Sequence, residues 1–261
     1  MVKRLVTAVI GLPLVILSIY SGGMLLRAAL LVVSLRGLYE FYRALSGGKT
    51  SYLHWVGDFA AIILFQNISG SCGKSVIMTT IALLILGSAI YTVYNYKKVN
   101  ITDFLITIGG FFYIPFLFSF IYLVREESLF FAGLIFVSAA SSDTFAYAVG
   151  RTLGKHKMVN SPSPNKTYEG SIGGFVGAAL IGFIYFQLIG DMVPYHSAVN
   201  VVIISILGAF AAQLGDLFAS AIKRSTNIKD FGRILPGHGG IVDRFDGVIF
   251  AAPVIYMVMF I

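Results

Sequence analysis

Apolar runs bounded by charge or by clusters of Gly, Pro and Asn recur along the whole chain, over 5–20, 24–42, 56–70, 75–95, 101–123, 129–149, 170–190, 197–222 and 247–261. A helix rises 1.5 Å per residue and the hydrocarbon core of a bilayer is about 30 Å thick, so a run near 20 residues is the length that crosses it. The pattern predicts an all-α polytopic membrane protein with about nine transmembrane helices. The third and ninth runs hold 15 residues each, which predicts broken or tilted helices there. Lys3-Arg4 before the first run resembles the start of a signal peptide, but no small-residue cleavage site follows and further apolar segments come at once. That run reads as a retained first span.

Composition agrees with a membrane solvent. Of the 261 residues, 57% are hydrophobic and 12% charged, against about 25% charged in soluble domains. No stretch remains for a separate soluble domain. The formal charge of +7 raises nucleic acid as a partner, and the placement of the basic residues excludes it. With the N-terminus in the cytoplasm, Lys3, Arg4, Arg43, Lys49, Lys97, Lys98, Arg151, Lys155, Lys157, Lys166, Lys223, Arg224, Lys229, Arg233 and Arg244 all fall inside, fifteen of the nineteen cations. Lys74 and Arg125 fall outside, Arg27 and Arg36 lie within a span, and the C-terminus ends outside. That asymmetry is the positive-inside bias of a membrane protein. Cys72 is the only cysteine, which excludes an intrachain disulfide and a Cys-based zinc cluster.

The two parts of the chain differ in where polarity is kept. Residues 1–100 read as about four spans joined by plain loops, and 101–261 as the spans that carry a cytoplasmic-side catalytic site. The second part holds two long polar segments, 150–169 and 223–246.

Segment 223–246 gathers five cations (Lys223, Arg224, Lys229, Arg233, Arg244), three carboxylates (Asp230, Asp243, Asp246), His238 and four glycines (Gly232, Gly237, Gly239, Gly240). Lys and Arg neutralise phosphate oxygens, and backbone N–H groups near glycine can form an anion-binding nest. Asp243 and Asp246 are three apart, so on a helix they share a face and could ligate one or two Mg²⁺ ions. A topology-setting loop would need only Lys and Arg; it explains neither the interspersed acids nor the Gly-His-Gly-Gly core.

Two acidic residues stand out inside predicted spans, Asp143 and Asp216. A carboxylate at such depth costs about 2.5–3.5 kcal/mol even on insertion scales. Asp143 lies roughly 12 Å along the axis from Arg151, and Asp216 roughly 10 Å from Lys223, which gives the two a similar depth. Satisfaction by neighbouring hydroxyls or by an interhelical cation is the plain alternative; matched depth beside one polar loop favours a shared metal site, with Asp216 the firmer ligand. In the other segment, Ser163, Asn165 and Lys166 offer hydroxyl, amide and ammonium for a nucleotide, while a helix-start turn with Glu169 in its first turn accounts for it nearly as well. His156 and His196 read as bystanders, His54 has no evident partner, and Arg27 and Arg36 meet lipid headgroups or snorkel.

The spacing Ser220, Lys223-Arg224, Lys229-Asp230, Gly232, Leu235-Pro236, His238-Gly239-Gly240, Asp243-Arg244 and Asp246 resembles the signature of the phosphatidate cytidylyltransferases, or CDP-diacylglycerol synthases. Ser163-Pro-Asn-Lys-Thr-Tyr-Glu-Gly170 and Ser142-Asp143 with Gly150-Arg151 are similar to that family too. The likeness covers roughly residues 140–250; earlier residues share only apolar character with it. The resemblance implies a bacterial inner-membrane enzyme, its site facing the cytoplasm, that transfers CMP from CTP to phosphatidic acid and releases pyrophosphate. It implies Asp216, Lys223, Arg224, Asp243, Asp246 and His238 as catalytic residues. Asp143, Asp216, Asp243 and Asp246 are the candidate ligands of one or two Mg²⁺ ions, and the family likeness leaves room for a monovalent cation and a homodimer. Arg151, Ser163, Asn165, Lys166, Lys229, Asp230, Gly239, Gly240 and Arg244 are the candidate substrate contacts. Two other readings compete: a CTP-dependent lipid or polyprenol kinase, which would release CDP, and a cation-coupled transporter, whose expected inverted repeat is not visible in the hydropathy.

Overall fold

The computed structural model describes residues 2–48, 51, 53–69, 73–158, 161–234 and 239–260, with backbone alone for 2–10, 12, 73 and 74. His238 and Lys49 lie outside the described residues. Among the described residues ten α-helices follow one another: α1 (Val2–Ser21), α2 (Gly23–Leu45), α3 (His54–Asn67), α4 (Gly73–Tyr94), α5 (Ile101–Phe111), α6 (Leu117–Glu127), α7 (Leu129–Thr152), α8 (Tyr168–Ile189), α9 (Ala198–Ser225) and α10 (Val242–Val258). Each predicted span overlaps helix among the described residues, the third ending at Asn67 and the ninth at Val258. Among the described residues, five stretches are long and apolar enough to cross a membrane: Ser75–Tyr94, Ile101–Glu127, Leu129–Thr152, Tyr168–Met192 and Ala198–Ser225. The protein is an all-α, multi-pass membrane protein.

The run predicted as one span over 101–123 is two α-helices joined by a π turn, Phe112–Phe116. Pro115 lies inside that turn. Having no N–H, proline cannot make the i→i−4 bond, and a wider turn absorbs the loss. Asn100 and Asp103 cap the start of α5 reciprocally, which satisfies two of its orphan N–H groups.

The chain forms two compact units. The first comprises residues 1–119 and 226–244; the second comprises 120–225 and 245–261. In the first, α2, α3 and α5 pack together and α4 joins α3 and α5.

In the second unit, α7, α8 and α9 form a three-helix core with α7 and α8 in the closest association. The buried face of α8 is Gly170, Gly173, Gly174, Gly177, Ala178 and Gly182. A Cβ at Gly173 would stand 2.6 Å from the Val149 Cβ, and one at Gly177 would overlap the Phe145 ring. Small residues at three- and four-residue spacing let the α8 backbone lie directly on α7, the usual device for helix association where lipid supplies no hydrophobic drive. The opposite face exposes Ile172, Val176, Leu180 and Ile184. In water that face would be a liability, whereas hydrocarbon solvates it.

Candidate active site

In the second unit, three carboxylates come from three helices. Asp143 is on α7, Asp216 on α9 and Asp246 on α10, and each lies within electrostatic reach of the other two. Buried polar contacts fix two of these helices at this level. Gln213 Nε2 donates to Ser142 Oγ at 3.0 Å and to the Ser171 carbonyl at 3.1 Å, joining α7, α8 and α9 one residue from Asp143 and three from Asp216. Gly215 brings α10 in. A Cβ there would overlap the Asp246 carbonyl oxygen, so only glycine allows this approach of α9 and α10. Asp246 Oδ1 also accepts the N–H of Gly247 at 2.9 Å.

Cations from both predicted polar segments meet these acids. Lys166 Nζ pairs with Asp216 Oδ2 and acts on Asp143 as well, while Lys223 acts on Asp246. The segment that carries Lys166 is a short folded loop. Lys157 and Thr167 form an antiparallel bridge, Met158 N–H donates to the Lys166 carbonyl at 3.0 Å, and Lys166 N–H donates to the Ser163 carbonyl at 3.2 Å. Arg224 Nε reaches the Pro162 carbonyl at 3.3 Å, which ties this loop to the end of α9. Asn165 is exposed and Ser163 half-buried. Arg151, in the last turn of α7, donates to the Tyr147 hydroxyl at 2.8 Å.

The helix-start reading is correct for the neighbouring residues. Thr167 caps α8 by accepting the Gly170 N–H at 3.1 Å, and Glu169 is engaged by His156 Nδ1 at 2.6 Å and by the His156 N–H at 3.2 Å. His156 thus has a structural partner in Glu169. His196 has one too, with Nε2 2.8 Å from the Met259 carbonyl.

In the first unit, the predicted signature loop is held from its own side. Asp243 Oδ2 accepts the N–H groups of Phe231 at 2.8 Å and Gly240 at 3.0 Å. The Gly240 N–H, expected in an anion nest, thus serves the loop itself. Gly239 has φ +84°, a left-handed conformation that glycine adopts without steric cost. Lys229, Asp230 and Arg244 are exposed. Arg27 and Arg36 do not meet solvent alone. Arg27 donates to the Gln66 carbonyl at 3.0 Å and to Ser69 Oγ at 2.9 Å, and Arg36 Nε stands 3.3 Å from Glu40 Oε1. His54 stacks on Tyr42 with centroids 4.1 Å apart.

The sequence profile of the cytidylyltransferase family matches residues 2–261. The chain belongs to that family. The phosphatidate cytidylyltransferase of Staphylococcus saprophyticus is 30% identical over 260 residues, covering 98% of both chains. That of Staphylococcus epidermidis is 31% identical over 260 residues, again 98% of both. That of Bacillus subtilis is 46% identical over 120 residues, 46% of this chain and 43% of its own. The family likeness therefore spans the whole chain, which corrects the expectation that it is confined to residues 140–250. The first hundred residues share more with the family than apolar character.

The group that family membership implies is a divalent cation, and the acids of the second unit suit one chemically. Carboxylate oxygens are the hard donors that Mg²⁺ takes, and Lys166 already stands in the cation's electrostatic role beside Asp216. Among the described residues, no three His, Cys, Asp or Glu side chains converge closely enough to hold an ion as they stand.

Two further residues at these sites carry no sequence signal that sets them apart. Gln213 is one; an uncharged amide beside a span acid carries no alarm in hydropathy. Glu40 is the other, a carboxylate 1% exposed on α2. The depth rule that picked Asp143 and Asp216 applies equally to Glu40, but Arg36 and Arg43 on the same helix make it look like part of a solvated polar end.

Proposed function

We propose that the protein transfers the cytidylyl group of CTP to phosphatidic acid. A phosphate oxygen of the lipid attacks the α-phosphorus, the bond from that phosphorus to the β-bridging oxygen breaks, and pyrophosphate leaves with the electron pair. The observation that supports this most strongly is that Asp143, Asp216 and Asp246 lie within electrostatic reach of one another, with Lys166 paired to Asp216 and Lys223 acting on Asp246, in a chain of this family. The lipid phosphate is already anionic, so positioning and charge neutralisation outweigh the need for a general base.

Asp216 and Asp246, with Asp143 as the weaker third, would hold Mg²⁺. When bound, the ion offsets charge on the triphosphate and on departing pyrophosphate. Lys166, on binding nucleotide, exchanges its carboxylate partner for phosphate oxygens. Lys223 and Arg224 hold further phosphate charge, and Ser163 and Asn165 contact the nucleotide. In the first unit, Lys229 and Arg244 hold substrate phosphates, while Asp243 shapes the loop through its two backbone acceptor bonds. This reading keeps nine spans, the N-terminus and the catalytic face in the cytoplasm, and the C-terminus outside.

The test is to incubate purified protein with phosphatidic acid, Mg²⁺ and CTP labelled at the α- or the γ-phosphate. Label from the α position in the lipid is the expected result. Label from the γ position would make the protein a lipid kinase, and label from neither would end the transferase reading.

A further inference from the structure

Glu40 has no part in the chemistry above, yet the base of the signature loop is built around it. Its Oε2 accepts the Val242 N–H at 3.2 Å, the first N–H of α10, and the Ile241 N–H also donates to it. Arg36, one turn back on α2, pairs with its other oxygen. Both glycines at the two ends of segment 232–240 lie against it. A Cβ at Gly232 would overlap the Glu40 carboxylate, with all three of its nearest atoms from that side chain; a Cβ at Gly240 would overlap it too and stand 2.7 Å from the Gly232 nitrogen.

Two glycines, two backbone donors and one arginine therefore converge on a single carboxylate. A cap for α10 alone would need one acceptor oxygen and no glycine. The glycines exist where they do because the backbone on either side of the loop must pass within touching distance of this side chain.

We propose that Glu40 is a positioning residue for the transfer reaction, the peg that holds Gly232 against Gly240 and sets where α10 begins, and so where Lys229 and Arg244 of the first unit stand to hold substrate phosphate. This rests on the reading of that loop as part of the phosphate-binding machinery. Glu40 does not touch the reacting atoms. Its effect passes through the backbone it gathers.

A purely structural carboxylate would lower the thermal midpoint and leave the Michaelis constants of the folded fraction alone. The test measures kcat, the KM for CTP and for phosphatidic acid, and the thermal midpoint in detergent for wild type, Glu40→Gln and Glu40→Ala. Glu40→Ala should raise the KM for CTP by about tenfold or more, the loss of charge-assisted bonds to two donors, with the phosphatidic acid KM within about twofold. Glu40→Gln, which keeps the shape and one acceptor oxygen, should recover most of the loss. Gly232→Ala should reproduce the CTP defect in the wild-type background and add little to Glu40→Ala, because the atoms it would strike are then gone. That pair keeps the test informative should Glu40→Ala fold poorly.

Wild-type CTP KM in both Glu40 variants, a defect confined to the thermal midpoint, or additive losses in the double variant would each overturn the proposal. Wild-type transfer of α-label is the internal control. If it is absent, the transfer reading fails and this proposal with it; if it is present while the CTP KM of the variants stays unmoved, the role of Glu40 alone fails.

Discussion

Gly215→Ala is the substitution whose effect follows most directly from the geometry. The methyl group would overlap the Asp246 carbonyl oxygen and come within 3.1 Å of both its carbonyl carbon and the Phe250 Cβ. Carbon pairs rest at about 3.5–4.0 Å, so α9 and α10 must part locally by roughly 0.5–1 Å. No side-chain rotation relieves a contact with backbone. Overpacking of this kind costs about 1–3 kcal/mol, which a multi-helix protein survives. The functional cost is larger, because Asp216 follows Gly215 and Asp246 carries the struck carbonyl, so the strain falls between two proposed ligands. A displacement near 1 Å in a reacting constellation costs about 10²-fold in rate. We expect kcat for α-label transfer to fall by about 10- to 100-fold, while the helical circular dichroism in detergent stays that of wild type. Gly109→Ala is the matched control, since nothing lies within 4 Å of its Cβ. A Gly215→Ala enzyme with wild-type kcat would refute the view that the spacing of Asp216 and Asp246 governs turnover.

Further outcomes follow from the same contacts. Asp246→Asn should abolish transfer at saturating Mg²⁺ while the protein stays folded in detergent; retained activity removes Asp246 from the site. Lys166→Met, which breaks the pair with Asp216, should raise the KM for CTP by about tenfold, the scale of one charge-assisted bond, and an unchanged KM would assign Lys166 to structure alone. Gln213→Ala strips donors from Ser142 and Ser171 and should cost about 0.6–1.7 kcal/mol, the range measured for interhelical hydrogen bonds in membranes, read as a lower unfolding midpoint in denaturing detergent. Chelation of divalent cations should stop transfer, Mg²⁺ should restore it, and turnover that persists in excess chelator would exclude the divalent requirement.

Helices were legible because their signal is additive: hydropathy sums over some twenty residues, and errors at single positions cancel. The π turn at Phe112–Phe116 was not, since one proline in an apolar run changes mean hydropathy little while removing one hydrogen bond. Among site residues, Asp143 and Asp216 stood out because a carboxylate in hydrocarbon is costly, and the structure does bring them within reach of each other. The backbone bonds of Asp243 were hidden for another reason. Sequence spacing puts it on the same helix face as Asp246, but whether a carboxylate faces an ion or its own backbone is decided by where Phe231 and Gly240 fold back. That is a property of a loop without periodicity. Glu40 was masked by its company, two arginines whose charges suggest solvent, when one of them is its partner.

The first unit is discontinuous in the chain, since residues 226–244 complete what residues 1–119 begin. Glu40 and the Val242 N–H it accepts are 202 residues apart. During synthesis, α2 is made long before Ile241 and Val242 leave the ribosome, and in that interval Glu40 has Arg36 as its near neighbour on the same helix. The first unit therefore waits, with one carboxylate provisionally compensated, until residues 226–244 have been made. Domains usually fold in the order in which they emerge. Here α2 is sealed only by residues 202 positions later, and a chain truncated before residue 226 would keep a buried acid whose backbone partners never arrive.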